Sequence, residues 1–181
     1  CPPTSDIGLR GQRVLVTRPA RQAEPLCRAL QEKGAEIVRF PTLEIQPAEQ
    51  FCETLAPLKQ CFLELDNYTA VIFVSSNAAR LGYDWIDSYW PQLPVGIDWL
   101  AVGEATAKAL LERDIPVKTP ENGMDSEALL ALPELQSLSD QRVLICRGVG
   151  GREALAEGLQ ARGAKVDYAE LYRRVCPSYE Q

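Results

Sequence analysis

The 181-residue chain contains no histidine, and that absence excludes more chemistry than any residue present. No Ser-His or Cys-His nucleophile pair, no histidine general base and no His-ligated metal can be built from it. Positive charge is also scarce, with 19 Lys and Arg against 25 Asp and Glu and a formal charge of −6. This balance argues against a nucleic-acid partner, because phosphate binding requires a basic face. Long apolar runs are missing too. Stretches such as Ala70–Val74 are far too short to span a bilayer, so no membrane partner is expected. No basic-then-apolar leader opens the chain, and a cytoplasmic protein is the expectation. The chain opens on Cys1 in place of Met, which reads as processing or trimming. Its six cysteines form no CxxC pair and mostly sit within apolar patterns, as reduced structural thiols do. Cys146 ends a strand-like run, yet without a histidine partner its structural reading is preferred to a nucleophilic one.

Against these absences stands 46% hydrophobic content, enough for a sizeable core in one large or two small domains. Short β-branched runs alternate with helical spacing along nearly the whole chain. Strands are expected at Arg13–Thr17, Glu36–Phe40, Ala70–Val74, Trp99–Val102, Pro116–Lys118, Arg142–Cys146 and Lys165–Tyr172. Helical patterns lie between them. One is stopped by Gly34, and one is capped by Asp125-Ser126. A third, over Gln50–Leu65, places Phe51, Leu55, Leu58, Phe62 and Leu65 on one face. Short strands separated by helices imply βα units and parallel sheet, with strands covered on both faces. The fold class is α/β.

Residues 12–38 align without a gap with residues 141–167, at a constant offset of 129. Eleven of the 27 positions are identical, including Arg18 with Arg147, Glu24 with Glu153 and Gly34 with Gly163. Identities at exposed Gln and Glu favour duplication over convergence, so two similar α/β domains are expected. The opening β-α-β is too small to stand alone. Only nine residues follow Tyr172. The expectation is therefore an incomplete chain, whose first domain lacks its second half.

Ligands of open parallel sheets bind beyond the carboxyl ends of strands, where helix N-termini converge. Four turns qualify: Thr17-Arg18-Pro19, Ser75-Ser76-Asn77, Gly103-Glu104-Ala105-Thr106, and Arg147-Gly148-Val149-Gly150-Gly151. The last resembles a dinucleotide loop but carries Glu153 where G-x-G-x-x-G requires its third Gly. What these turns offer is backbone N–H groups and small hydroxyls suited to anions. For any one of Ser75, Ser76 and Asn77, simple helix capping is the preferred account. Arg18 and Arg147 either lie as solvated stems over apolar surface or pair with carboxylates. A nucleotide- or anion-binding sensor module is thus the alternative to an enzyme.

The segments VLVTRP (14–19), VIFVSSNAAR (71–80), AVGEATAKAL (101–110), DSEALL (125–130), RVLICRGVGGREALAEGL (142–159) and ELYRRV (170–175) follow one another in an order and spacing that resembles the uroporphyrinogen-III synthase family. The resemblance covers essentially the whole chain. It implies two flavodoxin-like parallel-sheet domains joined by a two-stranded linker, with the active site in the cleft between them. The first domain is discontinuous in that family, and this sequence stops where the chain would return to complete it. The implied division is 1–40 for the opening β-α-β, 41–47 for a linker strand, 48–168 for a complete second domain and 169–181 for the returning strand. A chain without one cleft wall is expected to be inactive or nearly so.

The family's reaction, so implied, closes hydroxymethylbilane into uroporphyrinogen III with loss of water and inversion of the last ring. It passes through an azafulvene and a spiro intermediate and uses no metal or organic cofactor. Spontaneous closure gives the non-inverted isomer, so much of the catalysis is positioning. Tyr172 matches the family's tyrosine, proposed as proton donor to the leaving hydroxyl, and a phenol is protonated at neutral pH. Thr106 matches a threonine facing the cleft, and Ser75 and Ser76 match a hydroxyl turn on the substrate side. Thr17, Arg18, Asn77, Gly103, Arg147 and Gly148 complete the expected substrate-binding set. The substrate carries eight carboxylates while the chain is net negative, so binding must rest on local donors. The partner expected is this linear tetrapyrrole polycarboxylate, and the protein is expected to be a monomer.

Overall fold

The structure is a computed structural model that describes residues 8–120, 123 and 125–179; Cys1 lies outside them. The chain divides into two compact units, residues 1–46 with 174–181, and Pro47–Arg173.

In the first unit, strand β1 (Arg13–Val16), helix α1 (Ala20–Glu32) and strand β2 (Glu36–Arg39) form a parallel β-α-β unit. Ala23 and Cys27 of α1 close over Val16, with Val14, Leu30 and Ile37 packed around them. The α1 chain reverses through Gly34, whose φ of +90° is open to glycine at little cost. The parallel-strand pattern implied cover on both faces, but here the described residues cover only the α1 side. Leu15, on the other side of β1, stays 59% exposed. Phe40 and Tyr179 stack at 4.6 Å between ring centroids.

In the second unit, strands β4 (Ala70–Phe73), β5 (Asp98–Ala101), β6 (Val117–Lys118), β7 (Arg142–Gly148) and β8 (Lys165–Val175) lie in the order β8-β7-β4-β5-β6, all parallel. Strand β3 (Glu44–Pro47) belongs to the first unit as far as Gln46, as do the final Arg174-Val175 of β8. Helices α3 (Ser76–Tyr89) and α4 (Glu104–Leu111) follow β4 and β5, while α5 (Ser126–Leu130) and α6 (Ala154–Gln160) precede and follow β7. Strand alternation divides the core. Ala70, Ile72, Val143 and Ile145 pack with Leu129, Leu155 and Leu159 of α5 and α6. Val71, Phe73, Leu144 and Cys146 face the other way, where Gly82 of α3 lets its helix lie against the Phe73 ring.

The helix expected over Gln50–Leu65 is shorter. Helix α2 spans Ala56–Leu63, with single 3₁₀ turns at Ala48–Gln50 and Leu65–Asn67. Pro57 explains the loss: proline fits the first turn of a helix, but in an interior it removes a hydrogen bond and clashes with the carbonyl four residues back. Leu58, Phe62 and Leu65 are buried as the pattern required, whereas Phe51 leaves the helix and lies under the Arg173 guanidinium, 4.6 Å from its ring centre.

The internal repeat holds at the level of single hydrogen bonds. Glu36 N–H donates to Gln12 O at 2.9 Å, and Lys165 N–H donates to Gln141 O at 2.7 Å. Gly34 N–H reaches Gln31 O and Gly163 N–H reaches Gln160 O, at 2.8 and 2.9 Å. The equivalence runs back beyond residue 12, because Gln12 N–H donates to Leu9 O as Gln141 N–H donates to Leu138 O, at 3.1 and 3.0 Å. Gly11 and Asp140, at the same offset, both take positive φ, +77° and +60°. Counted from β7, which corresponds to the strand that opens the chain, the second sheet has the order 2-1-3-4-5, that of flavodoxin.

Candidate functional site

Chain order reverses between β4 and β7, so the crevice beyond their carboxyl ends is where an open parallel sheet takes its ligand. Ser75 stands at the end of β4. It is extended (φ −160°, ψ 159°), and its Oγ accepts the Ala78 N–H at 3.0 Å, which caps α3. The same Oγ lies 3.0 Å from the Tyr172 hydroxyl. Ser76 and Asn77 form the first turn of α3, Ser76 exposed and Asn77 half-buried. Gly103 plays the capping role for α4, and its carbonyl accepts the Thr106 N–H at 3.0 Å. Thr106 itself is buried.

Tyr172 reaches Ser75 through an irregularity in the β7–β8 ladder. Cys146 pairs with Ala169 and Arg147 with Glu170, but Gly148 pairs with Tyr172, leaving Leu171 as an extra residue. Unbroken alternation would place Tyr172 on the face of Tyr168 and Glu170, the side of α6. The extra residue carries it to the other face, the side of α3, so Leu171 and Tyr172 are both 1% exposed. There the phenol lies flat against Gly148: a Cβ on Gly148 would come within 2.7 Å of ring atoms Cε2 and Cζ. Val149 N–H donates to Tyr172 O at 2.8 Å and closes the ladder beyond the bulge.

Arg147 pairs with carboxylates, one of the two roles open to it. Its Nη1 meets Glu153 at 2.9 Å, its Nη2 meets Glu170 at 3.1 Å, and its guanidinium covers the Tyr168 ring at 3.7 Å. Burial acts to lower the Arg147 pKa, but the hydrogen bonds with Glu153 and Glu170 outweigh it and raise the pKa above its ordinary value. Glu153 is held below the usual carboxylate range by hydrogen bonds from Tyr168 and Arg147. Burial, with the hydrogen bond to Glu153, pushes the Tyr168 phenol up to about 12. Sequence reading missed Tyr168, Glu153 and Glu170. Their signals were the Glu24–Glu153 identity in the repeat and the two-residue spacing of Tyr168 and Glu170.

Thr17 and Arg18 belong to the first unit, both exposed at the end of β1. Thr17 O accepts from the Thr42 N–H at 3.0 Å and from its hydroxyl at 3.3 Å. Within the second unit, Ser75, Gly148 and Tyr172 are in direct contact. Ser76 and Asn77 follow on the same helix, and Gly103 and Thr106 stand beyond the end of β5.

These features define a parallel α/β protein with a hydroxyl pair at the topological switch point of its larger sheet. The chain belongs to the uroporphyrinogen-III synthase family: residues 24–181 match the family model described as uroporphyrinogen-III synthase HemD. It is 35% identical over 171 residues to the uroporphyrinogen-III synthase of Escherichia coli, covering 92% of this chain and 67% of that protein. Identity to the Salmonella typhimurium enzyme of the same name is 36% over 173 residues, with the same coverage. A mutant uroporphyrinogen III synthase from Thermus thermophilus superposes with a TM-score of 0.62 at 17% identity, covering 92% of this chain and 64% of the other, a likeness of fold. The chain thus spans about two thirds of the length of the relatives it matches. Among the described residues, no helix is long and apolar enough to cross a membrane.

Proposed function

We propose that the protein carries out the reaction for which its family is named, closing hydroxymethylbilane to uroporphyrinogen III in a cleft between its two domains. The observation that carries this reading is the hydrogen-bonded pair of Ser75 and Tyr172 at the sheet's switch point. Loss of the substrate hydroxyl as water needs one proton. A neutral phenol supplies it without a cofactor, and Ser75 fixes the direction in which the phenol points. Departure of water leaves an azafulvenium cation, which becomes the neutral azafulvene as the pyrrole N–H gives up its proton, with no change of oxidation state. Closure then depends on which carbon of the last ring the site presents, a matter of positioning.

Ser76, Asn77, Gly103 and Thr106 provide N–H and hydroxyl donors for substrate carboxylates, at the N-termini of α3 and α4. Thr17 and Arg18 contribute from the first domain, and Gly148 makes room for the phenol that lies against it. Arg147 serves the site from behind Tyr172. The division into an opening β-α-β over 1–40, a linker strand over 41–47, a second domain over 48–168 and a returning strand over 169–181 belongs to the same proposal. So does a monomeric, cytoplasmic enzyme.

The nucleotide alternative loses ground on one observation. Glu153 stands at the head of α6 at the position where the dinucleotide motif requires its third glycine, and its carboxylate is bonded to Arg147 and Tyr168. The test is chromatographic separation of product isomers after incubating hydroxymethylbilane with the protein as its gene encodes it. Excess of the inverted isomer over the spontaneous one supports the reading. The spontaneous isomer alone, together with calorimetric binding of a nucleotide, would replace it with the sensor.

A further inference from the structure

Arg147 and Tyr172 lie on opposite faces of the β7–β8 ladder, yet the geometry links them. The Arg147–Glu170 ion pair occupies the last regular rung before the bulge, and Tyr172 occupies the first rung after it. A one-residue slip at this point would return Tyr172 to the α6 face and remove it from Ser75. The opposing strand segments are held by more than the ladder. Arg147 Nη2 fixes Glu170 on β8, and Nη1 fixes Glu153 at the head of α6 and approaches Gly151 O at 3.4 Å. Its plane covers Tyr168, two residues before Glu170, and the Tyr168 hydroxyl is bonded in turn to Glu153. Both terminal nitrogens of the guanidinium are engaged, Nε is buried without a partner, one face lies on a ring and the residue is only 7% exposed, so no accessible bidentate edge is left for a substrate carboxylate.

We propose that Arg147, Glu153 and Glu170 form a clamp that sets the bulge register and so holds Tyr172 against Ser75; Arg147 is a positioning residue and not a substrate contact. This inference deepens the function proposed above and rests on it for its catalytic consequence. Its structural part stands on the ladder alone.

The test uses the protein labelled with [13Cζ]tyrosine, with the Tyr172 signal assigned by its loss in Tyr172→Phe. Ser75→Ala shifts that signal by removing the hydroxyl partner. The clamp predicts that Glu170→Ala shifts it as well, that Ser75→Ala then adds no further change, and that Glu170→Gln, which keeps an acceptor for Nη2, moves it back towards wild type. The Tyr68 signal, at the opposite end of the strands, stays in place. Glu153→Ala makes the same test from the loop side should Glu170→Ala fail to fold. A Tyr172 signal unmoved by Glu170→Ala, or a Tyr68 signal that moves with it, overturns the clamp.

In turnover of hydroxymethylbilane, Glu170→Ala lowers kcat on the order of 10–100-fold with KM unchanged, as misplacement of a reacting group does. A raised KM with kcat retained would make Arg147 a substrate contact and overturn the positioning role. Absence of turnover in the wild type would count against the proposed function, while the tyrosine signals still decide the clamp.

Discussion

Ser75 and Tyr172 stand 97 positions apart in the chain and 3.0 Å apart at their hydroxyl oxygens. The contact needs three independent features. The N-cap at the end of β4 directs Ser75 Oγ along the start of α3. The bulge at Leu171 turns Tyr172 to that face. The missing side chain of Gly148 leaves room for the ring.

The last feature gives the first prediction. Gly148→Ala places a methyl within 2.7 Å of the Tyr172 ring, backed by strand and bulge, so the ring must move. Overpacking of this kind costs about 1–3 kcal/mol. Urea denaturation should show that loss, and the Ser75→Ala effect should shrink in the Gly148→Ala background because the hydroxyl pair is already parted. Wild-type stability in Gly148→Ala would contradict the packing described.

A second prediction concerns the other end of the strands. Arg142 bonds Glu64 at 3.0 Å and Asp167 at 2.8 Å, and it lies over the Tyr68 ring, whose hydroxyl donates to Asp167 at 2.9 Å. Hydrogen bonds from Gln60 and then Arg142 hold Glu64 below its ordinary value of 4.5. A depressed folded pKa means stabilisation that is present above 4.5 and lost as pH falls through the folded value. Urea midpoints should therefore decline on acidification below that point, and Arg142→Met should flatten part of the decline. The effect is small and weakens in salt, since Glu64 is partly exposed. An unchanged acid limb in Arg142→Met would contradict it.

Thiol reactivity is the third. Cys52 and Cys176 are exposed, Cys61 is half-buried, and Cys27 and Cys146 are buried. Burial pushes the Cys146 thiol far up and raises that of Cys61. With an aromatic disulfide reagent at neutral pH, Cys52 and Cys176 should react first, Cys61 slowly, and Cys27 and Cys146 only on unfolding. Peptide mapping of the labelled protein checks the order, and native-state labelling of Cys146 would contradict it.

The repeat supplies the fourth. Asp140 holds φ +60° where its counterpart Gly11 holds +77°. Asp140→Gly should leave stability within about 1 kcal/mol of wild type, while Asp140→Val should cost more, because a β-branched residue is strained at positive φ. Thermal denaturation of the two variants makes the comparison.

Much of the fold was legible because it rests on local signals. The apolar β4 and β7 runs, the Gly34 stop and the Asp125 cap stand where the pattern put them, with Asp125 accepting the Ala128 N–H at 2.8 Å. The repeat was legible from identities and proves deeper than they showed, since Leu9 and Leu138 repeat the same hydrogen bond. The shortened α2 could have been read from Pro57. The bulge could not. Tyr168, Glu170 and Tyr172 alternate as an ordinary strand does, and only pairing with β7 shows that Tyr172 leaves their face. Arg147 was undecided for a similar reason, because its two carboxylates are 6 and 23 positions away and nothing in the local pattern joins them.

The most direct test of the central claim is the rate and isomer composition of hydroxymethylbilane closure by wild type and Tyr172→Phe, with the protein as its gene encodes it. Loss of a positioned proton donor should lower kcat by about 10²-fold or more and leave KM close to wild type. The product should shift towards the non-inverted isomer as spontaneous closure overtakes the enzyme. A Tyr172→Phe variant that forms the inverted isomer at the wild-type rate would contradict the account.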